Sequence, residues 1–117
     1  MTEGNVSIAC RAEGPVEVVS LSGTIDAWSE PDVRSTLKAV LEKGRSRIVL
    51  DLAAVKRIDS SGLSALLSVL KAARAAGGDV VLLSPSAAVA SVLRLTRLDQ
   101  ILEAYEDEGA ALSRLSA

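Results

Sequence analysis

The sequence predicts an α/β domain: a mixed, mostly parallel β-sheet covered by about four helices, in the order β-β-α-β-α-β-α-β-α. Three observations predict it. Short apolar runs of strand length alternate with amphipathic helical stretches, and three β-α alternations imply parallel strands joined by right-handed crossovers. Gly14-Pro15 is a turn signal between the first two strands, which marks a hairpin at the start. The chain has 117 residues, 49% of them hydrophobic, which suits one domain over residues 1–117 with a core of its own.

Val6 to Arg11 and Val16 to Ser22 read as the first two strands. In the second, Val16, Val18 and Ser20 share one face, and Glu17, Val19 and Leu21 share the other. Gly23-Thr24-Ile25-Asp26 is expected to leave the sheet. Ser29 is the expected N-cap before Pro31, a residue suited to a first helical turn. Val33, Leu37, Val40 and Leu41 then make one apolar helix face, and Gly44 is the natural stop. Arg47 to Leu52 is an apolar strand fit for a sheet interior. Leu63, Leu66, Leu67 and Leu70 form the stripe of a second helix, which runs to Ala76 and stops at Gly77-Gly78. Asp79 to Ser84 is another apolar strand. Pro85-Ser86 opens a third helix with Val89, Val92 and Leu93 inward. Ile101 to Tyr105 reads as a last strand, and Glu106 to Leu115 as a last helix anchored by Leu112 and Leu115.

Composition excludes several function classes. Aromatic residues are 2% of the chain, Trp28 and Tyr105 alone, so there is no stacking platform for single-stranded nucleic acid. The net charge is -2 with both signs interspersed, which offers phosphates no basic face; no nucleic-acid partner is expected. There is no histidine, so Ser-His-Asp and Cys-His constellations and His-ligated metal sites are ruled out. No pair of glycines has phosphate-loop spacing. An enzyme is therefore not expected, nor a bound metal or cofactor. Cys10 stands alone, which allows no intrachain disulfide and fits a reducing, cytoplasmic setting. No run reaches the roughly 18 apolar residues of a membrane span, so no direct membrane insertion is expected. Met1 to Gly14 lacks the apolar core of a signal peptide. Asn5-Val6-Ser7 then matches the glycosylation pattern by chance.

The turn Asp59-Ser60-Ser61-Gly62-Leu63 is the best candidate for a working part. It lies between an apolar strand and a strong amphipathic helix, at a strand's carboxyl end, where α/β folds place their sites. Its plain reading is structural: Asp59 or Ser60 caps the helix and Gly62 permits close packing. A functional reading is compatible with that. A phosphate on a first-turn serine would meet unpaired backbone N–H groups and the positive end of the helix dipole. Asp26, at the end of the second strand, falls at the same end of the sheet, where a carboxylate could shape partner recognition. Trp28 reads first as partly buried packing and second as an interface anchor.

Three segments carry a family resemblance. Val55-Lys56-Arg57-Ile58-Asp59-Ser60-Ser61-Gly62-Leu63 resembles the signature of STAS domains, the sulphate-transporter and anti-sigma-factor-antagonist family. Leu21-Ser22-Gly23-Thr24-Ile25-Asp26 resembles its second-strand motif, and Leu93-Arg94-Leu95-Thr96-Arg97-Leu98-Asp99 its third-helix ending. The likeness spans Val6 to Leu115 and implies the STAS-type arrangement of the same elements. In the stand-alone bacterial members, the anti-anti-sigma factors, the serine directly after the aspartate is phosphorylated; that position is Ser60. The resemblance implies that the unphosphorylated domain binds an anti-sigma serine kinase and frees a sigma factor, that phosphorylation of Ser60 ends the binding, and that a serine phosphatase resets the switch. Asp26, Trp28, Asp59, Ser61, Gly62 and Leu63 are the expected partner-binding residues, on a monomer or weak dimer. The alternative is an accessory subunit that binds the ATPase of an ABC lipid transporter. Such a subunit needs no phosphorylatable residue, so the retained Asp-Ser-Ser favours the switch.

The chain departs from the family at two places. Ala27-Trp28-Ser29-Glu30-Pro31 replaces the usual run after the second strand, in the expected partner surface. Arg97 stands where relatives usually have Gly. Either its backbone is left-handed, as past a helix end, or the third helix runs on through it.

Overall fold

The computed structural model describes residues 6–116, so Asn5 of the glycosylation match and residues 1–5 of the stretch weighed as a signal peptide lie outside it. Val6–Glu13 (β1) and Val16–Ile25 (β2) pair antiparallel around Gly14. Arg47–Ile58 (β3), Asp79–Leu83 (β4) and Ala104–Tyr105 (β5) add in parallel, so the order across the sheet is the order along the chain. Helices Glu30–Glu42 (α1), Ser60–Ala75 (α2) and Ala87–Leu95 (α3) fill the three parallel connections, and Glu108–Ser116 (α4) follows the last strand. Crossovers of one hand that always step the same way place α1 to α3 on one face of the sheet. The opposite face is left to α4.

The alternation in the strands divides the core between those faces. Leu21, Ile25, Leu50, Leu52 and Leu82 pack with Leu37, Leu66 and Leu93 of the three crossover helices. Val16, Val18, Val49 and Val81 pack with Ala111 and Leu115 of α4. In the absence of Phe, aliphatic side chains carry this core, each fully buried one worth roughly 1.5–3 kcal/mol. Among the described residues, no helix is long and apolar enough to cross a membrane.

Three strands outrun their expected ends, β1 by two residues, to Glu13. β2 stays in the sheet through Gly23, Thr24 and Ile25. β3 does not stop at Leu52 but continues to Ile58, because two register shifts against β2 absorb extra residues. Each such bulge moves the inward set by one position, so the buried residues run Ile48, Leu50, Leu52 and then Val55 and Ile58. β4 pairs with β3 only as far as Asp51, which leaves the end of β3 projecting past its neighbour.

The expected last strand is shorter than Ile101 to Tyr105. Only Ala104 and Tyr105 pair with β4, and Leu98–Gln100 forms a 3-10 turn that leaves Ile101 exposed. The cause is Arg97, whose φ of 62° and ψ of 17° turn the chain in the left-handed region directly after α3. Of the two readings of Arg97, the left-handed one holds. A side chain there costs roughly 1 kcal/mol. Arg97→Gly is therefore expected to stabilise the domain by about 0.5–1 kcal/mol, after the looser unfolded chain is allowed for. Chemical denaturation measures it, and a loss of stability would contradict the assignment.

Candidate functional site

The projecting end of β3 delivers Asp59 and the start of α2 to the carboxyl end of the sheet. Asp59 is the N-cap: its Oδ1 accepts from the Ser61 N–H at 2.9 Å and the Gly62 N–H at 3.2 Å. Its own N–H donates to Ile25 O at 3.1 Å, which ties the helix start to the end of β2. Ser60 is the first helical residue and is exposed, whereas Ser61 is half-buried.

This arrangement corrects one expectation. Two of the first-turn amides of α2, those of Ser61 and Gly62, are held by the Asp59 carboxylate, which leaves the Ser60 N–H as the one such amide open to a phosphate. A phosphate on Ser60 would therefore stand beside a carboxylate already using the favourable end of the helix dipole.

Gly62 and Leu63 were expected to touch a partner, and both are buried. A Cβ on Gly62 would lie 2.6 Å from Ile58 Cγ1 and 2.8 Å from both Ile25 Cγ2 and Ile25 O. The helix start is docked on the two strand ends so closely that only hydrogen fits. Leu63 is 8% exposed and belongs to the core under α2. These two residues set the height of Ser60 from below.

Asp26 lies next to this turn, through the Ile25–Asp59 bond, and is half-buried. Its Oδ1 accepts from the Trp28 N–H at 3.0 Å and the Ser29 N–H at 3.1 Å. The Ser29 N–H bond is the main reason its carboxyl sits below the ordinary carboxylate range. Partial dehydration opposes this, and the Trp28 N–H and the nearby Arg57 charge assist it. Ser29 occupies the N-cap position of α1 but does not cap with its side chain. Fully buried, its hydroxyl donates to Thr24 O at 2.7 Å and accepts from the Asp26 N–H at 2.9 Å. Asp26 and Ser29 thus lock each other and shape the loop between β2 and α1. Trp28 is not packing: 71% exposed on that locked loop, it faces solvent.

Two residues not among the expected partner-binding residues complete the candidate site: Glu30, from the departing segment Ala27-Trp28-Ser29-Glu30-Pro31, and Arg34, which sequence reasoning passed over. Glu30 and Arg34 of α1 share a shallow depression with Ser60, Ser61 and Ser64 of α2. Arg34 Nε donates to Glu30 Oε2 in an ion pair one helical turn long, and its Nη1 reaches Ser68 Oγ at 3.3 Å. The spacing of Glu30 and Arg34, and of Ser60, Ser64 and Ser68, was the available signal. Among the described residues no group of three or more Cys, Asp or Glu side chains is placed to hold a metal ion. The arrangement offers an exposed hydroxyl with the Asp59 and Glu30 carboxylates and the Arg34 guanidinium around it, and an exposed aromatic side chain on the neighbouring loop.

Comparison with known proteins points one way. The family model described as STAS domain matches residues 7–111. A candidate anti-sigma factor antagonist of Thermotoga neapolitana is 37% identical over 75 residues, which are 64% of this chain and 66% of that protein, just under two thirds of its length. The anti-sigma F factor antagonist of Paenibacillus polymyxa is 29% identical over 112 residues, 95% of this chain and 96% of the relative. The crystal structure of a candidate anti-sigma factor antagonist from Thermotoga maritima superposes with a TM-score of 0.82 at 27% identity, covering 94% of this chain and 95% of that one.

Proposed function

Because this chain belongs to the STAS domain family, we propose that it is an anti-sigma factor antagonist switched by phosphorylation of Ser60. It works by binding, not by catalysis. Unphosphorylated, it binds an anti-sigma serine kinase and so frees a sigma factor in the cytoplasm. The kinase then moves the γ-phosphoryl group of ATP to Ser60 Oγ, the hydroxyl proton is lost, ADP leaves, and the complex separates. Hydrolysis by a serine phosphatase restores the hydroxyl.

The observation that carries this reading is the presentation of Ser60. It is exposed at the first position of α2, directly after the capping Asp59, while Ser61 is half-buried with its N–H committed to that cap. Partner contact falls to the surface around it: Asp26, Trp28, Asp59 and Ser61. Gly62 and Leu63 act from beneath. Exposed aromatic side chains on rigid backbone are favoured anchors at interfaces, and Trp28 fits that role on its locked loop.

The test is direct. Incubation with the cognate kinase and ATP, followed by mass-spectrometric mapping, is expected to place one phosphate on Ser60. Phosphate on Ser61 alone, or none, would overturn the assignment.

A further inference from the structure

We propose that Arg34 is the internal counter-ion of a phosphoryl group on Ser60, a role it takes up by leaving Glu30. The proposal rests on the phosphorylation reading above and names the residue that would receive the charge. A phosphate at a helix start is ordinarily received by free backbone amides. Here Asp59 Oδ1 already holds the amides of Ser61 and Gly62, and the Leu63 N–H donates to Asp59 O at 3.0 Å, so only the Ser60 N–H is left, too little for a dianion. The new dianion would also face Glu30, which lines the same depression. It needs a cation, and the depression contains one: Arg34.

The geometry of the two helices makes the exchange possible. Ser60, Ser64 and Ser68 succeed one another at four-residue spacing along α2, opposite Glu30 and Arg34 of α1. The Arg34 guanidinium already spans from α1 to α2, since it bonds Glu30 with Nε and reaches Ser68 Oγ with Nη1. Neither bond anchors it firmly. The Arg34 side chain is 48% exposed, a surface pair of this spacing with one half-buried partner is weak, and the serine contact is long. A phosphate offers the guanidinium a fork-on-fork pairing of higher charge. Repulsion of Glu30 and attraction of Arg34 both favour the same rearrangement. The other charged groups near Ser60 are Asp59 on its own turn and Asp26, which lies beside that turn through the Ile25–Asp59 bond; the charge of Arg57 acts on Asp26. Phosphorylation then adds one charge and unpairs another, because the Glu30 carboxylate loses its ion pair with Arg34.

The experiment installs phosphoserine at position 60 during translation in the full chain, so no kinase is needed. The phosphate is titrated by phosphorus NMR against a free phosphoserine peptide, whose second ionisation lies near pH 6. Arg34→Gln is expected to raise that midpoint by about half a pH unit or more, roughly a threefold fall in the dianion-to-monoanion ratio at fixed pH. Glu30→Gln is expected to lower it, and Lys38→Gln, one turn further along α1, to leave it in place. An unchanged midpoint in Arg34→Gln, with circular dichroism showing an intact fold, would overturn the proposal. So would a shift reproduced by Arg57→Gln instead. Failure of any kinase to modify Ser60 would overturn the reading of function and leave this measurement unaffected, so the two failures are distinguishable.

Discussion

Ser60→Asp is expected to keep the stability of the parent chain and to lose about 100-fold or more in affinity for the kinase partner. Stability holds because the substitution is exposed and lies at the positive end of α2, which favours an anion by about 0.3–1 kcal/mol. Repulsion from Asp59 and Glu30 offsets much of that gain, so the net change stays within about 0.5 kcal/mol. Affinity falls because a partner packed over this surface must strip water from the new carboxylate. Burying a charge without a partner costs several kcal/mol, and about 2.7 kcal/mol already corresponds to a hundredfold. Ser60→Ala removes the acceptor without adding charge; it is expected to bind as the parent does and to resist release by ATP. Titration calorimetry with the kinase, alongside thermal melting, reads both effects. Undiminished binding by Ser60→Asp would end the switch reading and favour an accessory subunit with a constitutive partner.

Gly62→Ala is expected to destabilise the domain by about 1–3 kcal/mol. The added methyl would stand 2.8 Å from Ile25 O, a backbone atom in the sheet, and 2.6 Å from Ile58 Cγ1. Overpacking of this kind costs typically 1–3 kcal/mol. Alanine's better helix propensity returns up to about 1 kcal/mol. The rest is made up by what must move: shifting the start of α2 outward stretches the Asp59–Ile25 bond and disturbs the cap on Ser61 and Gly62. Gly109→Ala is the control, since its new Cβ would meet only the Asp107 carboxylate oxygen at 3.1 Å. Urea denaturation of both variants decides the matter. An unchanged midpoint for Gly62→Ala would show that the docking of α2 on the two strands is not rigid.

Local chemistry explains which features could be read early. The apolar stripe of α2 is a repeat within one helix, visible without any knowledge of its neighbours. The stops at Gly44 and Gly77 follow from backbone freedom at single residues, both with positive φ. Asp59 was one of two candidate caps because both it and Ser60 suit that position; only the hydrogen bonds at 2.9 and 3.2 Å decide for Asp59. The end of β3 was missed for a different reason. Two bulges break the period on which strand recognition depends, and Lys56-Arg57 gives the extension the look of a solvated turn. Ser29 was misread because a serine before a helix usually caps it, whereas this one is fully buried and bonded backward to Thr24.

By itself, then, the sequence determined the order of strands and helices, the apolar faces they bury, and the position of the Asp59-Ser60 turn with its family likeness. Each of these depends on residues close together in the chain. The tertiary structure alone decided that Trp28 stands exposed, that Gly62 lies against Ile25 and Ile58, and that Glu30 and Arg34 sit across from Ser60. The juxtapositions of Gly62 with Ile25 and of Ser60 with Glu30 and Arg34 join residues some thirty positions apart in the chain. They exist because parallel crossovers set α1 beside α2 on one face of the sheet, and because a bulged β3 carries its last residues to the end of β2.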